Sequence, residues 1–282
     1  GVSFVYDPEW LAWEFAFAIS RQLPLIAAPQ SGAHVNAVFE NLLPDNTDLR
    51  RRIAERTEAR SDRPYDLLAA IGRDCIGAMQ FLPRGTDPGD PFLIDGTPQS
   101  EADIAATLRD LAISPLGLRA GDSFRISLAG AQEKTAFLWH DGAWLKPNGL
   151  TPTTHIFKRP MGVVSQGIDM TDSVENEWLC LRLAAAMGLP VNEARIESFE
   201  DQTVLIVTRF DRAPRDRGGI LRLPQEDFLQ ALGFESGQKY QEHGGPSMQD
   251  GLRLLEGSRE RAANQLLFLK AQIVNWVLAA ID

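Results

Sequence analysis

FRISLAGAQEKTAFLW, residues 124–139, is the stretch that decides the fold of this chain. Apolar and polar residues alternate before and after its centre, which is the period of a β-strand. The centre, Ala129-Gly130-Ala131, has small side chains that leave backbone N–H groups open, and Lys134 stands just beyond it. Open amides and a lysine together suit a phosphate group. The stretch therefore predicts a β-hairpin whose loop is either an ordinary glycine turn or a phosphate cradle.

The composition is that of an ordinary globular protein, since the 282 residues are 44% hydrophobic and 23% charged. This length is enough for two domains with cores of their own. The longest apolar runs are too short to span a membrane, and no signal-peptide pattern opens the sequence. Cys75 and Cys180 lie in apolar, helix-like contexts that fit reduced thiols. We therefore expect a cytoplasmic protein with no membrane association.

Charge and metal-binding residues disfavour two further classes. The net charge of −10 argues against a free-standing nucleic-acid binder, because such proteins concentrate positive charge against phosphates. DNA contact through a basic partner or a local basic patch stays open. The four scattered histidines and the lack of a C-x-x-C motif argue against a structural zinc site.

Residues 1–113 are predicted to form an N-terminal domain of helices and turns. Helices are expected in four places: directly after Asp7-Pro8, at 47–60, at 65–79 and from Ser100 to about residue 112. The segment 83–97, rich in proline, glycine and aspartate, and the segment 115–121 are interpreted as connectors.

Strands and a possible lysine–carboxylate pair follow residue 122. Period two at 155–158 turns the Lys158 amine toward a cleft if that strand is half-buried; otherwise Lys158 is a solvated strand end. Asp172 and Glu175 form a capping-box pattern at the start of the next helix. Glu177 is then the carboxylate left to pair with Lys158, with a solvated helix face as the alternative.

The rest of the chain completes a recognisable order. Two strands are expected at 191–199 and 203–210, a helix start at 223–227, and an apolar helix at 260–280 that is buried on most sides and delivers Asp282. The predicted order is a loop, a strand with a lysine, an acidic helix, a pair of strands and a helical block. This is the layout of a protein-kinase N-lobe, here about 122–212, followed by the start of a helical C-lobe at 213–282.

Several blocks of this sequence resemble the HipA family. They are RISLAGAQEKTA, TPTTHIFK, SVENEWLCLRLA, RFDR, LRLPQED and QIVNWVLAAID, with DPEWLA, ENLLPD and PYDLLAAIGRDCIGA upstream. The resemblance implies an α+β protein: a kinase-like domain at 122–282 with an additional N-terminal α/β domain at 1–113. Family members are bacterial serine/threonine kinases that act as toxins beside a small HipB antitoxin.

The resemblance also assigns roles to individual residues. It implies an ATP phosphate loop and a hinge for the adenine, with an aspartate near the ribose. The loop comprises Ala129, Gly130, Ala131, Gln132, Glu133 and Lys134; the hinge comprises Thr208, Arg209 and Phe210, followed by Asp211. Lys158 matches the lysine that pairs with the α- and β-phosphates. Asp282 matches the catalytic aspartate, and Ser127 matches a serine that is autophosphorylated, which is associated with loop expulsion and inactivation.

The chain departs from the family pattern at its ends. The G-H-A-K-N-type loop whose asparagine binds Mg²⁺ and a second metal-binding aspartate are not in this sequence, so no metal ligand is predicted within it. We therefore expect a longer protein, and expect the 282 residues alone to be catalytically inactive with several apolar faces uncovered. The first strands of the N-terminal domain are also expected to be missing.

Partners follow from the resemblance as well. It implies ATP and Mg²⁺ as cofactors, a HipB-like helix-turn-helix antitoxin as partner, operator DNA reached mainly through that antitoxin, and an aminoacyl-tRNA synthetase as protein substrate. Phosphorylation of the synthetase would halt translation and favour growth arrest or persistence. The alternative is a non-catalytic, nucleotide-binding corepressor that acts with the antitoxin.

Overall fold

The structure is a computed structural model, and it describes residues 2–118, 124–130, 132–164 and 167–280. The strands are β1 Ser3–Phe4, β2 Gln30–Ser31, β3 Gly96–Pro98, β4 Lys134–His140, β5 Ala143–Pro147, β6 His155–Lys158, β7 Gly162–Val163, β8 Asp169–Met170, β9 Ala194–Phe199, β10 Gln202–Thr208, β11 Arg212–Pro214 and β12 Ile220–Arg222. The α-helices are α1 Pro8–Ala12, α2 Ala33–Glu40, α3 Thr47–Thr57, α4 Pro64–Ile71, α5 Glu101–Arg109, α6 Ser173–Ala186, α7 Phe228–Leu232, α8 Met248–Leu255 and α9 Arg261–Val277.

A six-stranded antiparallel sheet forms the centre of the molecule. Its strand order is β3-β5-β4-β6-β10-β9. The central strands read as near-continuous apolar runs because helical layers cover both faces; in β10, Val204, Leu205 and Ile206 are all buried. Helix α6 packs on this sheet through Val174, which contacts Leu205 and Val207. This packing brings the first turns of α6 beside the sheet, where the candidate site lies.

The boundary predicted at residue 113 is wrong, because strand β3 and helix α5 belong to the sheet domain. Strand β3 pairs with β5. Helix α5 begins at a capping box between Ser100 and Asp103 and buries Ile104 and Leu108 against the sheet. The segment 83–97 therefore contains a strand of the second domain, and a propensity argument missed it because Gly96-Thr97-Pro98 carries two residues that disfavour strands.

The first arm of the predicted hairpin is also wrong. Residues 124–128 form no strand; instead Phe124, Ile126 and Leu128 are buried in one core with α3 and α4. An extended segment that packs on helices alternates in the same way as a strand, since every second side chain is buried in both cases. The segment therefore joins the N-terminal domain to the sheet.

Three helices differ from the prediction in their ends or in their capping. Helix α4 ends at Ile71, and its C-cap Gly72 has no room for a side chain, since a Cβ there would lie 2.6 Å from the Leu68 carbonyl oxygen and 2.8 Å from Phe81. The N-cap Asp172 of α6 makes no side-chain capping bond. Helix α7 starts after Asp227, whose side chain forms a capping box with Gln230.

Helix α9 is more exposed than the apolar sequence suggests. Within α9, all of whose residues are described, Val274 alone is buried, and Leu266 and Trp276 are 68% and 83% exposed. Helix α8 and the ring of Phe228, which lies 5.1 Å from that of Phe268, cover one side of α9 only. The expectation of a helix buried on most sides is thus wrong for these 282 residues.

Candidate nucleotide site

Lys158 and Glu177 form an ion pair at the edge between sheet and helix. Lys158 is the last residue of β6, and its Nζ lies 2.5 Å from Glu177 Oε1 on α6. The two side chains are 24% and 33% exposed, so the pair is partly shielded but open to a ligand. The pair holds the flexible lysine stem in one direction, which is the arrangement that fixes a lysine over phosphate groups in kinases.

A second lysine lies directly opposite the first. Lys134 of β4 is the register partner of Lys158 of β6, so both side chains project from the same face of the sheet. Like charges in directly opposed positions repel each other and destabilise a sheet. Glu177 neutralises one of the two amines, and the remaining positive charge favours an anion at this place.

The loop that joins 124–128 to β4 folds over these lysines. Lys134 Nζ donates a hydrogen bond of 2.5 Å to the Ala129 carbonyl oxygen. Gly130 has a φ of 96°, and a Cβ there would lie 2.7 Å from Lys134 Nζ, so both its backbone conformation and the close approach of the amine require glycine. Gln132 Nε2 donates to the Arg159 carbonyl at 2.8 Å. The described part of the loop is therefore held by Lys134 at the start of β4 and by the Arg159 carbonyl directly after β6, as a phosphate cradle requires.

Burial sets the charge of Lys134. Lys134 is only 7% exposed. Burial first, and the neighbouring charge of Lys158 second, lower the pKa of Lys134 to about 8. The ammonium form predominates below that pH, and the neutral amine predominates above it.

This pKa predicts that the affinity for a nucleoside triphosphate falls about tenfold as the pH rises from about 7 to about 9, because Lys134 loses its proton over that range. Isothermal titration with an ATP analogue at several pH values measures the change. The Lys134→Arg variant keeps its charge throughout, so its affinity should stay level. An equal decline in both proteins would contradict the role of Lys134.

Ser127 lies at the foot of the loop and is fully buried. Its Oγ donates to the Leu42 carbonyl at 2.7 Å, and its backbone N–H donates to the Asp74 carbonyl at 3.1 Å. Both acceptors belong to the N-terminal domain. A phosphate could reach this hydroxyl only if residues 124–130 left that domain.

The predicted hinge is only partly open to a ligand. The Thr208 N–H, at the end of β10, donates to the Glu193 carbonyl, and the Arg209 N–H donates to the Thr154 carbonyl. The Phe210 ring is 61% exposed and is free to meet a flat base. The side chain of Arg209 instead points into the protein, so its contribution to an adenine site is limited to its backbone.

The structure contradicts the ribose role of Asp211. Its side chain is 5% exposed, and both oxygens are already bonded: Oδ1 accepts from Arg209, and Oδ2 accepts from Arg209, from Arg212 and from the Gly77 N–H. An acceptor for sugar hydroxyls needs accessible lone pairs. Asp211 is thus a buried structural anion.

Asp211 belongs to an ion cluster that the sequence did not reveal. Its members are Asp74, Arg209, Asp211, Arg212 and Arg222. Burial alone would raise the pKa of Asp74, but the three arginines outweigh burial and hold that pKa well below its ordinary value. The one local signal was the density of charge in RFDR directly after an apolar strand; Asp74 lies far away in the sequence.

Two predicted residues lie outside the described part of the chain, namely Ala131 and Asp282. Within residues 2–118, 124–130, 132–164 and 167–280, no group of three or more histidine, cysteine, aspartate or glutamate side chains is suited to a metal ion. Among the same residues, no helix has both the length and the apolarity needed to cross a membrane.

Two family models match this chain. Residues 126–282 match the HipA-like C-terminal domain, and residues 1–82 match the HipA N-terminal domain. The chain is 35% identical over 286 residues to the putative kinase Y4mE of Sinorhizobium fredii, covering 100% of this chain and 66% of that protein. It is 29% identical over 280 residues to the serine/threonine-protein kinase toxin HipA of Shewanella oneidensis, covering 98% of this chain and 60% of the relative.

A solved structure is similar over most of the fold. It is the complex of Shewanella oneidensis MR-1 HipA, HipB and operator DNA, with a TM-score of 0.76 and 25% sequence identity over 97% of this chain and 63% of that chain. The chain thus spans 60–66% of the length of these two curated relatives. The sheet, helix α6 and their lysine–glutamate pair define an α+β protein with a kinase-like fold. With both of its domains matched, this chain belongs to the HipA family.

Proposed function

We propose that this chain is the nucleotide-binding part of an ATP-dependent serine/threonine protein kinase, the toxin of a toxin–antitoxin pair. The observation that carries the proposal is the Lys158–Glu177 pair, which stands beside Lys134 and the glycine loop on one face of an antiparallel sheet. Lys158 would hold the α- and β-phosphates, and the loop amides with Lys134 would hold the phosphate at the other end. The Phe210 ring and the adjacent backbone would receive the adenine.

Phosphoryl transfer requires a base, and Asp282, which matches the catalytic aspartate of the family, is the residue proposed for that role. The γ-phosphoryl group would pass from ATP to a serine or threonine hydroxyl, ADP would leave, and Asp282 would accept the hydroxyl proton. Mg²⁺ would supply charge neutralisation at the phosphates, and among the described residues no group of three or more carboxylate, histidine or cysteine side chains is suited to hold it.

The partners in the proposal come from the relatives. One relative is named a kinase toxin, and the similar structure is a complex with HipB and operator DNA. We propose a HipB-like antitoxin as the partner of this chain, with operator DNA reached through it, since the net charge of −10 disfavours direct binding. An aminoacyl-tRNA synthetase is the proposed protein substrate.

Radiolabel transfer from [γ-³²P]ATP by the full-length gene product tests the kinase proposal. We expect transfer to a co-incubated synthetase or to the protein itself, and loss of about 10³-fold or more in the Asp282→Ala variant, because a proton acceptor and its alignment are both removed. Transfer that survives this substitution would remove Asp282 from the mechanism. Tight nucleotide binding without any transfer would favour the corepressor alternative.

Ser127 is the proposed autophosphorylation site. The Ser127→Ala variant should still bind an ATP analogue, because the side chain points to Leu42 and not to the lysines. It should lose the main phosphate found by mass spectrometry on the full-length protein, and about 1–3 kcal/mol of stability because the buried Leu42 carbonyl loses its donor. Phosphate on another residue, with Ser127 unmodified, would refute the assignment.

A further inference from the structure

One short segment of the N-terminal domain contacts two separate parts of the candidate site. The Asp74 carbonyl accepts the N–H of Ser127, at the foot of the phosphate loop. The next carbonyl, that of Cys75, accepts Arg209 Nη2 at 2.9 Å, and the N–H of Gly77 donates to Asp211 Oδ2 at 2.7 Å. The segment 74–77 is therefore bonded to the loop at one end and to the hinge along the rest.

The carboxylate of Asp74 strengthens the hinge side of this connection. Its Oδ2 accepts the N–H of Thr153 at 2.9 Å and the Thr153 hydroxyl at 2.7 Å, and it lies 3.3 Å from Arg209 Nη1. Its Oδ1 lies 2.9 Å from Arg212 Nη2. Thr153 precedes Thr154, whose carbonyl accepts the Arg209 N–H, so the carboxylate also fixes the segment directly before β6, which flanks the hinge.

Burial makes this connection stiff. Asp74 is 3% exposed, and Cys75 and Thr153 are fully buried. Charged hydrogen bonds are short and strong in such surroundings, and no solvent layer separates the groups. A displacement of residues 124–130 therefore moves the Asp74 backbone, and the Asp74 carboxylate passes that displacement to the hinge.

We infer that Asp74 is a positioning residue that couples the phosphate loop to the hinge across the N-terminal domain. This inference rests on the proposed nucleotide site only for its effect on affinity; the coupling between the two segments stands on the contacts alone. Because coupling between two sites is reciprocal, nucleotide bound between loop and hinge should protect segment 74–77, and release of residues 124–130 should loosen the hinge. Phosphate on Ser127 would remove both of its bonds to the N-terminal domain and so act on both halves of the site.

Hydrogen–deuterium exchange on the 282-residue chain tests the inference. In the Asp74→Asn variant we expect amide exchange to rise about tenfold or more in two peptides, 124–130 and 205–211, at temperatures well below unfolding. The affinity for AMP-PNP should fall about three- to tenfold as loop and hinge lose their relative placement. In the unchanged chain, AMP-PNP should slow exchange of the Gly77 amide.

A matched control separates coupling from general destabilisation. Glu40 is a carboxylate of the N-terminal domain whose side chain is 19% exposed, and it accepts Arg50 Nη1 at 2.9 Å and the Ser236 hydroxyl at 3.1 Å. The Glu40→Gln variant should leave exchange in both peptides unchanged. Thr153→Val is the second variant, to be used if Asp74→Asn does not fold. It removes the hydroxyl bond to the same carboxylate and should raise amide exchange in the same two peptides by a smaller factor.

The outcomes are distinct. Faster exchange in both peptides for the Asp74 or Thr153 variant, without it in the control, supports the coupling. The coupling is overturned if exchange rises in only one of the two peptides, in neither of them, or to the same extent in Glu40→Gln. If the unchanged chain binds no AMP-PNP, the proposed function fails, whereas the exchange comparison still decides the coupling.

Discussion

Replacing Lys158 with methionine is expected to lower the affinity for AMP-PNP by about 10- to 100-fold, since a hydrogen bond from a charged donor contributes about 1.5–3 kcal/mol. The effect should be among the largest of any substitution at the site because Lys158 is paired with Glu177 at 2.5 Å and is therefore already held in position. Methionine keeps the length of the stem and removes the charge. Isothermal titration measures the affinity, and phosphoryl transfer by the full-length protein should fall further, by about 10²-fold or more.

Two further variants test whether the loss of affinity in Lys158→Met is specific to the proposed phosphate site. Glu177→Gln keeps the lysine and removes only the charge that orients it, so its affinity should lie between those of the unchanged protein and Lys158→Met. Lys270→Met removes another lysine, one on α9 that donates to the Gly188 carbonyl, and should bind normally. Full affinity in Lys158→Met would exclude the proposed phosphate site.

Replacing Arg209 with methionine is expected to lower the free energy of unfolding by about 3–5 kcal/mol, the range for breaking a buried ion pair by removing one partner. Arg209 bonds both Asp74 and Asp211, so its loss leaves two buried carboxylates with fewer partners. Urea unfolding followed by circular dichroism provides the measurement. In Arg195→Met, which loses a more exposed pair with Glu197, the change should be about 0–1 kcal/mol.

The stability difference should depend on pH in a defined direction. The pKa of Asp74 is lower in the folded protein than in the unfolded chain, so its stabilisation is present above the unfolded value and is lost as the pH falls through the folded one. Without Arg209 this pKa moves back toward the unfolded value. The gap between unchanged protein and Arg209→Met should therefore narrow below about pH 4. Two results would show that the cluster contributes no charge-dependent stability. One is a difference in the free energy of unfolding between unchanged protein and Arg209→Met that stays constant down to acid unfolding; the other is a similar loss of stability in Arg209→Met and Arg195→Met.

Local patterns were sufficient for several strands of the sheet and for part of the site. Period two placed Lys158 on a half-buried strand, and the helical stripe of Val174 and Trp178 left Glu177 beside it. These signals depend on neighbours within a few residues, so the sequence alone contains them.

Long-range contacts explain what the sequence could not provide. Arg209 and Asp211 follow a strand end, where solvated charges are the ordinary case, and their partner Asp74 is 135 residues away from Arg209. The alternation at 124–128 is the same whether its hydrogen-bond partners are a second strand or the carbonyls of Leu42 and Asp74. Strand β3 is recognisable only by its pairing with β5.

The bond between Lys134 and the Ala129 carbonyl links two events that are often treated separately. An ammonium group has three N–H donors, so Lys134 can keep this loop carbonyl and still bind a phosphate oxygen. In the proposed nucleotide complex, the phosphate would hold Lys134, and Lys134 would hold the loop closed over the phosphate. Departure of the nucleotide and opening of the loop would then be coupled through the contacts of Lys134.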